Sequence, residues 1–158
     1  MTRDLLNATT ATSDNALTET ERDALLAERL EARLGTNRAD GWPHITPIWY
    51  LWQEATFLLS LGNGRRHLDN IRGDSRVTLC VDVDHRPEGP GQAALAAVCF
   101  GQAELIEDEQ DVRKITERIE LRYLGAVPPE FEQALWFEGR TAVVITPVRW
   151  LTWALRSG

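Results

Sequence analysis

The feature that most constrains the fold is the close spacing of turn signals between Asn37 and Gly64. Asp40-Gly41, Gln53-Glu54 and Gly62-Asn63-Gly64 punctuate runs rich in β-branched and aromatic residues, and the gaps are too short for the helical crossovers that parallel strands need. These runs must therefore pair as antiparallel hairpins. Pro43 to Trp52, PHITPIWYLW, is the first full strand candidate, and Pro47 within it cannot donate to a ladder, so it marks a bulge or an open edge. Ala55 to Leu61, ATFLLSL, follows as a second strand and runs directly into the glycine loop. The two neighbouring strands and that loop are expected to share one surface.

The flanking chain fits the same class. Thr18 and Glu21 form a capping-box pattern ahead of Leu25 and Leu26, which predicts a short helix ending near Glu28 or Arg29. Leu30, Ala32 and Leu34 alternate with polar residues in a strand pattern. Further strands are expected at Arg76 to Val83, Ala93 to Ile106, Thr141 to Thr146 and, after Pro147, Arg149 to Ala154, with a bulge or bend at Gly101. Asp84 to Gln92 has the punctuation of a loop. Val112, Ile115, Ile119 and Leu121 predict an amphipathic helix from Glu107 to Leu124, and Pro128-Pro129 open a second short helix, PEFEQALWF. Six or seven mostly antiparallel strands with three or four helices make a mainly β (α+β) protein, a small barrel with peripheral helices.

Length and charge limit the function. At 158 residues the chain suits a single domain, expected over residues 17–158 behind a polar, mobile arm at 1–16. The net charge of -7 disfavours nucleic acid as a partner, because the six tryptophans lack the cationic groove that base-stacking platforms use. Trp49, Tyr50 and Trp52 alternate faces along their strand, so some belong to the core and some can wall a flat ligand. No apolar run is long enough to cross a membrane, and the N-terminus lacks the pattern of a signal peptide, so a cytoplasmic location is expected. Cys80 and Cys99, the only cysteines, sit in apolar runs as buried thiols in a reducing compartment.

Catalytic constellations are sparse. His44, His67 and His85 are scattered without ligand spacing, so no metal centre is expected. His44 suits a hydrogen-bonded structural role and His85 a solvated loop. There is no nucleophile elbow, and neither cysteine has a histidine nearby in sequence.

What stands out is Ser60 to Arg76, SLGNGRRHLDNIRGDSR. Gly62 and Gly64 permit left-handed backbone, Arg65 and Arg66 follow at once, and RRHLDNIRG forms a helix with Leu68 and Ile71 on one face. A glycine turn, two guanidinium groups and a helix N-terminus describe an anion site, most naturally for a phosphate, which His67 could also reach. The plain alternative is an exposed turn with solvated arginines. Beside this loop, the proline-marked strand offers backbone to a planar heterocycle, so a flavin-like nucleotide is the expected ligand.

The order LTETERDALLAE, RLEARLGT, DGWPHITPIWY, FLLSLGNGRRHLDNIRGDSRVTLCVD, GQAELIED and TAVVITPVRWLTW resembles the pyridoxamine 5′-phosphate oxidase-like superfamily of FMN-binding split barrels. Within it, the chain resembles the branch of F420-dependent reductases, where a tryptophan like Trp153 is often found. The resemblance implies a split β-barrel homodimer with two cofactor sites between subunits, binding FMN or coenzyme F420 and acting on a small-molecule substrate. It places main-chain groups of Thr46, Pro47, Ile48 and Trp49 along the ring system, and Ser60 and Leu61 near the cofactor. Arg65, Arg66 and His67 would hold the phosphate, with Asn70 on the helix behind them. Arg65 stands where the family usually has serine and His67 where it has lysine, which alters the phosphate grip and makes its charge depend on pH. Ala96 to Val98 lacks the polar cofactor contact of the oxidase proper, so pyridoxamine phosphate oxidation is not expected. Hydride transfer at the cofactor ring would need no side-chain nucleophile.

Overall fold

The computed structural model describes residues 15–84, 94–127 and 139–155. The expected loop after Asp84, with His85, the helix PEFEQALWF and most of the N-terminal arm fall outside those residues. At the end of the arm the Ala154 amide donates to the Asn15 carbonyl at 2.7 Å, and just past it the Leu17 amide donates to Thr152 Oγ1 at 3.0 Å.

Seven strands are present, β1 (Ala32–Asn37), β2 (Pro43–Ile48), β3 (Leu51–Gln53), β4 (Thr56–Gly62), β5 (Arg76–Asp84), β6 (Ala94–Ile106) and β7 (Arg140–Leu155), with three helices among the described residues, α1 (Glu19–Ala27), α2 (Arg66–Gly73) and α3 (Glu109–Leu124). Every strand pair is antiparallel, and the order across the sheet is β2-β1-β5-β6-β7-β4-β3. That order dictates the shape. β2 and β3 lie at opposite edges, which in a flat seven-stranded sheet would be roughly 29 Å apart at about 4.8 Å per strand. Only Trp49 and Tyr50 join them, and so short a connection reaches no more than about 11 Å. The sheet must curl until its two edges nearly meet, giving a split barrel with its seam at Trp49-Tyr50.

The barrel interior takes alternate residues of each strand: Ala32 and Leu34 from β1, Phe57, Leu59 and Leu61 from β4, Val77, Leu79 and Val81 from β5. α1 adds Leu25 and Leu26, and α2 adds Leu68 and Ile71 from the predicted face. The capping box at Thr18 and Glu21 is formed as expected. Trp52, Phe57 and Trp150 pack at centroid distances of 4.8 to 6.0 Å, with the Arg22 guanidinium 4.7 Å above the Trp150 ring.

Four sequence expectations are corrected. The single strand Pro43 to Trp52 is two strands, because Trp49-Tyr50 carries the chain across the seam. For the same reason β2 and β4 are not sheet neighbours. The two strands around Pro147 are one, β7, since a bulge absorbs the proline: Phe100 faces Arg149 while Gly101 faces Pro147, leaving Val148 as the extra residue. On α3 the buried stripe is Val112, Thr116, Ile119 and Glu120, and Leu121 is exposed.

Candidate functional site

Pro47 finds the place the sequence demanded. β2 is an edge strand paired only with β1, so a residue without an N–H costs no ladder bond on its other side. Pro47, Ile48 and Trp49 line a cleft of about 240 Å³ together with Glu31, Ser60, Ile119 and Arg140. Trp49 stacks on Tyr123 of α3, with centroids 4.8 Å apart and planes within 2°. The Tyr123 hydroxyl donates to the Leu30 carbonyl at 2.6 Å, which fixes that wall of the cleft.

Arg140 is the residue that sequence reasoning missed. Its Nε donates to Ser60 Oγ at 2.8 Å and its terminal nitrogen to the Ser60 carbonyl at 2.9 Å. Ser60 Oγ also lies 2.6 Å from Thr116 Oγ1, whose own hydroxyl lies 2.7 Å from the Val112 carbonyl. The Thr116 proton goes to that carbonyl, so the Ser60 proton goes to Thr116 and Ser60 can offer a ligand only a lone pair. Burial pushes the Arg140 pKa down, Glu120 pushes it up and Arg65 pushes it down, while burial raises the carboxyl of Glu120. The only sequence signal for Arg140 was its position just before the strand expected at Thr141 to Thr146, and nothing in the spacing tied it to Ser60.

The glycine and arginine loop lies at the head of α2. Gly64 has φ +75°, the left-handed backbone expected there, whereas Gly62 ends β4 without it. Arg65 is the N-cap, and no side chain caps the helix. Arg65 and Arg66 are exposed, while His67 and Asn70 are buried. Asn70 Nδ2 donates to Thr36 Oγ1 at 2.9 Å, tying α2 to β1. Arg66 and Asn70 line a separate cleft of about 500 Å³ with Asn37 to Asp40, Asp69 and Asp74. The expected site residues thus fall into two groups within the chain, Pro47 to Trp49 with Ser60, and Arg66 with Asn70. Leu61 sends its side chain into the core, and Thr46 is half-buried on β2.

His67 lies close to His44, their ring centroids 6.2 Å apart. Burial, His44 and Arg65, in that order, lower the His67 pKa from its ordinary value and so disfavour the charged ring. His44, expected to be hydrogen-bonded, has its buried Nδ1 without a partner, as does His67 at Nε2. The start of α2 carries two exposed guanidiniums and an uncapped helix end, features that suit an anion, with Asp40, Asp69 and Asp74 also on the cleft that Arg66 lines. Among the described residues no group of three or more His, Cys, Asp and Glu is placed to hold a metal ion, and no helix is long and apolar enough to cross a membrane. Cys99 is buried and its thiol is pushed up to about 12 by that burial.

A seven-stranded antiparallel split barrel with peripheral helices and a cleft at its seam defines the architectural class. Residues 18–154 match the family model described as pyridoxamine 5'-phosphate oxidase, and the chain belongs to that family. Among solved structures, a conserved hypothetical protein from Mycobacterium tuberculosis is 22% identical with a TM-score of 0.79, covering 92% of this chain and 90% of its own. A structure named F420 reductase is 20% identical with a TM-score of 0.62, covering 82% and 94%. A FAD-binding protein from Mesorhizobium loti is 17% identical with a TM-score of 0.66, covering 90% and 96%. At these identities the likeness is one of fold. The comparison with curated proteins returned no match.

Proposed function

We propose that the protein is a flavin- or deazaflavin-dependent oxidoreductase that binds FMN or coenzyme F420 at a homodimer interface and transfers hydride to or from a small organic substrate. The observation that carries this reading is the open edge of β2 beside a half-buried guanidinium: Pro47, Ile48, Trp49, Ser60 and Arg140 share one cleft in a chain of this family. Such a cofactor, when bound, supplies hydride exchange at its ring. The chain's own groups do the rest. The open edge of β2 at Thr46 to Ile48, with Trp49 just beyond it, offers main-chain hydrogen bonds to a heterocycle, the Trp49–Tyr123 stack forms a wall of the cleft, and Arg140 sets positive charge there. Arg65 and Arg66, at the head of α2, supply charge-assisted donors for a phosphate. Leu61 contributes through its main chain, and Asn70 holds α2 in place through Thr36.

A second reading, a non-catalytic flavin-nucleotide carrier, is favoured by one observation: His67, in the position of the family's usual lysine, is buried, and that burial works against its charged form. One preparation separates the readings. Purified protein is assayed for bound flavin by absorbance and titrated with FMN and with F420, and the reduced cofactor is then followed with candidate substrates. Binding with substrate-dependent reoxidation supports the enzyme, binding without it under any substrate supports the carrier, and absence of binding to both cofactors overturns both.

A further inference from the structure

His44, half-buried on β2, and His67, buried on the first turn of α2, lie beside each other. Their ring planes meet at 42° with centroids 6.2 Å apart, and His67 is only 8% exposed. His44 Nδ1 and His67 Nε2 are both buried and both without a hydrogen-bond partner. A neutral imidazole carries one N–H and one lone pair, and either left unpaired away from water is unfavourable. Two such nitrogens on neighbouring rings need an occupant or a function to explain them. The charged and titratable groups acting on His67 from the elements around it are His44 on β2 and Arg65 at the N-cap of α2, and both oppose its protonation. Among the described residues no carboxylate pairs with either ring.

A metal ion is the wrong occupant. It would add positive charge beside Arg65 and would find two imidazoles with no third ligand among the described residues. An anion reverses every unfavourable element: it offsets Arg65, accepts from the uncapped helix end, and turns an imidazole lone pair into a donor once that nitrogen is protonated.

We infer that the His44–His67 pair is a proton-coupled anion contact, taking up one proton from solvent when the phosphate group of a nucleotide docks at the start of α2. The proton adds to an imidazole lone pair, the resulting N–H donates to a phosphate oxygen, and the proton returns to water when the ligand leaves. The inference rests on the phosphate-binding reading of α2 given under Proposed function, and adds His44 as a residue of that site. Affinity is then full below the pKa of the pair in the free protein, falls by up to about tenfold per pH unit between that value and the raised pKa in the complex, and levels off above it.

The full chain is titrated calorimetrically with FMN and with F420 at about pH 7.5, where a phosphate monoester, with its second pKa near 6, is already doubly ionised. Each titration is repeated in buffers of different ionisation enthalpy, and the imidazole resonances of the wild-type protein are titrated by NMR with and without ligand. The expected result is uptake approaching one proton per site, a raised pKa for the pair in the complex, and loss of the uptake in His67→Gln and in His44→Gln. Binding with no proton uptake and unmoved imidazole pKa values overturns the inference while leaving the cofactor reading intact. If neither cofactor binds, inorganic phosphate is the probe: a raised imidazole pKa on adding it supports the anion contact although the cofactor reading has failed, and unmoved values overturn the contact as well. Tight binding of zinc to the wild type, lost in both variants, also overturns it.

Discussion

At the scale of single residues, the site divides its charges by exposure. Arg66 is solvated, so each hydrogen bond it gives a phosphate replaces one to water, and the low end of the range for charged hydrogen bonds applies. Arg66→Ala should weaken cofactor binding by about 1.5 kcal/mol, read by calorimetry, and unchanged affinity would remove Arg66 from the site. His67 behaves differently because it is buried. Its folded pKa lies below its unfolded one, so the unfolded chain binds the proton more readily. The stability this group protects is present above the ordinary imidazole pKa and is lost as pH falls through that value toward the folded one. Chemical denaturation across mildly acid pH should therefore show falling stability in the wild type and a flatter profile in His67→Gln, and parallel profiles would show that His67 is not the titrating group. Neither His67's burial nor its neighbour was legible in sequence, where it followed two arginines and looked equally accessible. Arg140 and His44 were missed for a related reason: each meets its partner through sheet closure, and local spacing carries no record of closure.

At the scale of elements, the sequence was most informative where a residue type forces a backbone state. The capping box, the hairpin around Asp40-Gly41, the helix face of Leu68 and Ile71 and the edge position of Pro47 all follow from such residues and are all present. It was least informative where two elements compensate each other. Pro147 looked like a strand break, yet the ladder continues because Gly101 on the facing strand lets β6 and β7 approach closely at the bulge. A Cβ built on Gly101 would lie 2.7 Å from Ile145 Cγ2 and 3.0 Å from the Thr146 carbonyl oxygen, inside contact distance of a buried side chain and of backbone. Gly101→Ala should therefore cost about 1 to 3 kcal/mol through overpacking, measured by denaturant unfolding. A loss within a few tenths of a kcal/mol would mean that the bulge relaxes freely and that the glycine is not what keeps β7 continuous. The seam is the other such case: the aromatic run through Trp49 and Tyr50 gave no break signal, since the break comes from the sheet order and not from local propensity.

At the scale of the whole molecule, the proposed homodimer needs a face on the barrel to bury. On β2, Ile45 is 68% exposed, and at the bulge Val148 is 71% exposed. The two are joined by clefts that share Thr78: one of about 260 Å³ runs past Pro43, Ile45 and Cys80, and one of about 460 Å³ past Phe100 and Val148. Ile45, Phe100 and Val148 there lie among Arg33, Asn37, Arg76, Gln102 and Arg149, and a second copy laid against this face is the contact expected for the proposed homodimer, which needs roughly 800 Å² per partner to be stable. The same contact would set one protomer's β2 edge, where Thr46 to Trp49 offer main-chain groups, near its partner, as cofactor sites between subunits require. Ile45→Asp places a charge on this face without touching the core, so the barrel should keep its circular dichroism while sedimentation shifts from dimer to monomer. Because the proposed site needs both subunits, cofactor affinity should fall with the dimer, and in proportion to it as protein is diluted. A wild type that sediments as a monomer would dismiss the dimer, and a dimeric Ile45→Asp variant would move the interface to another face.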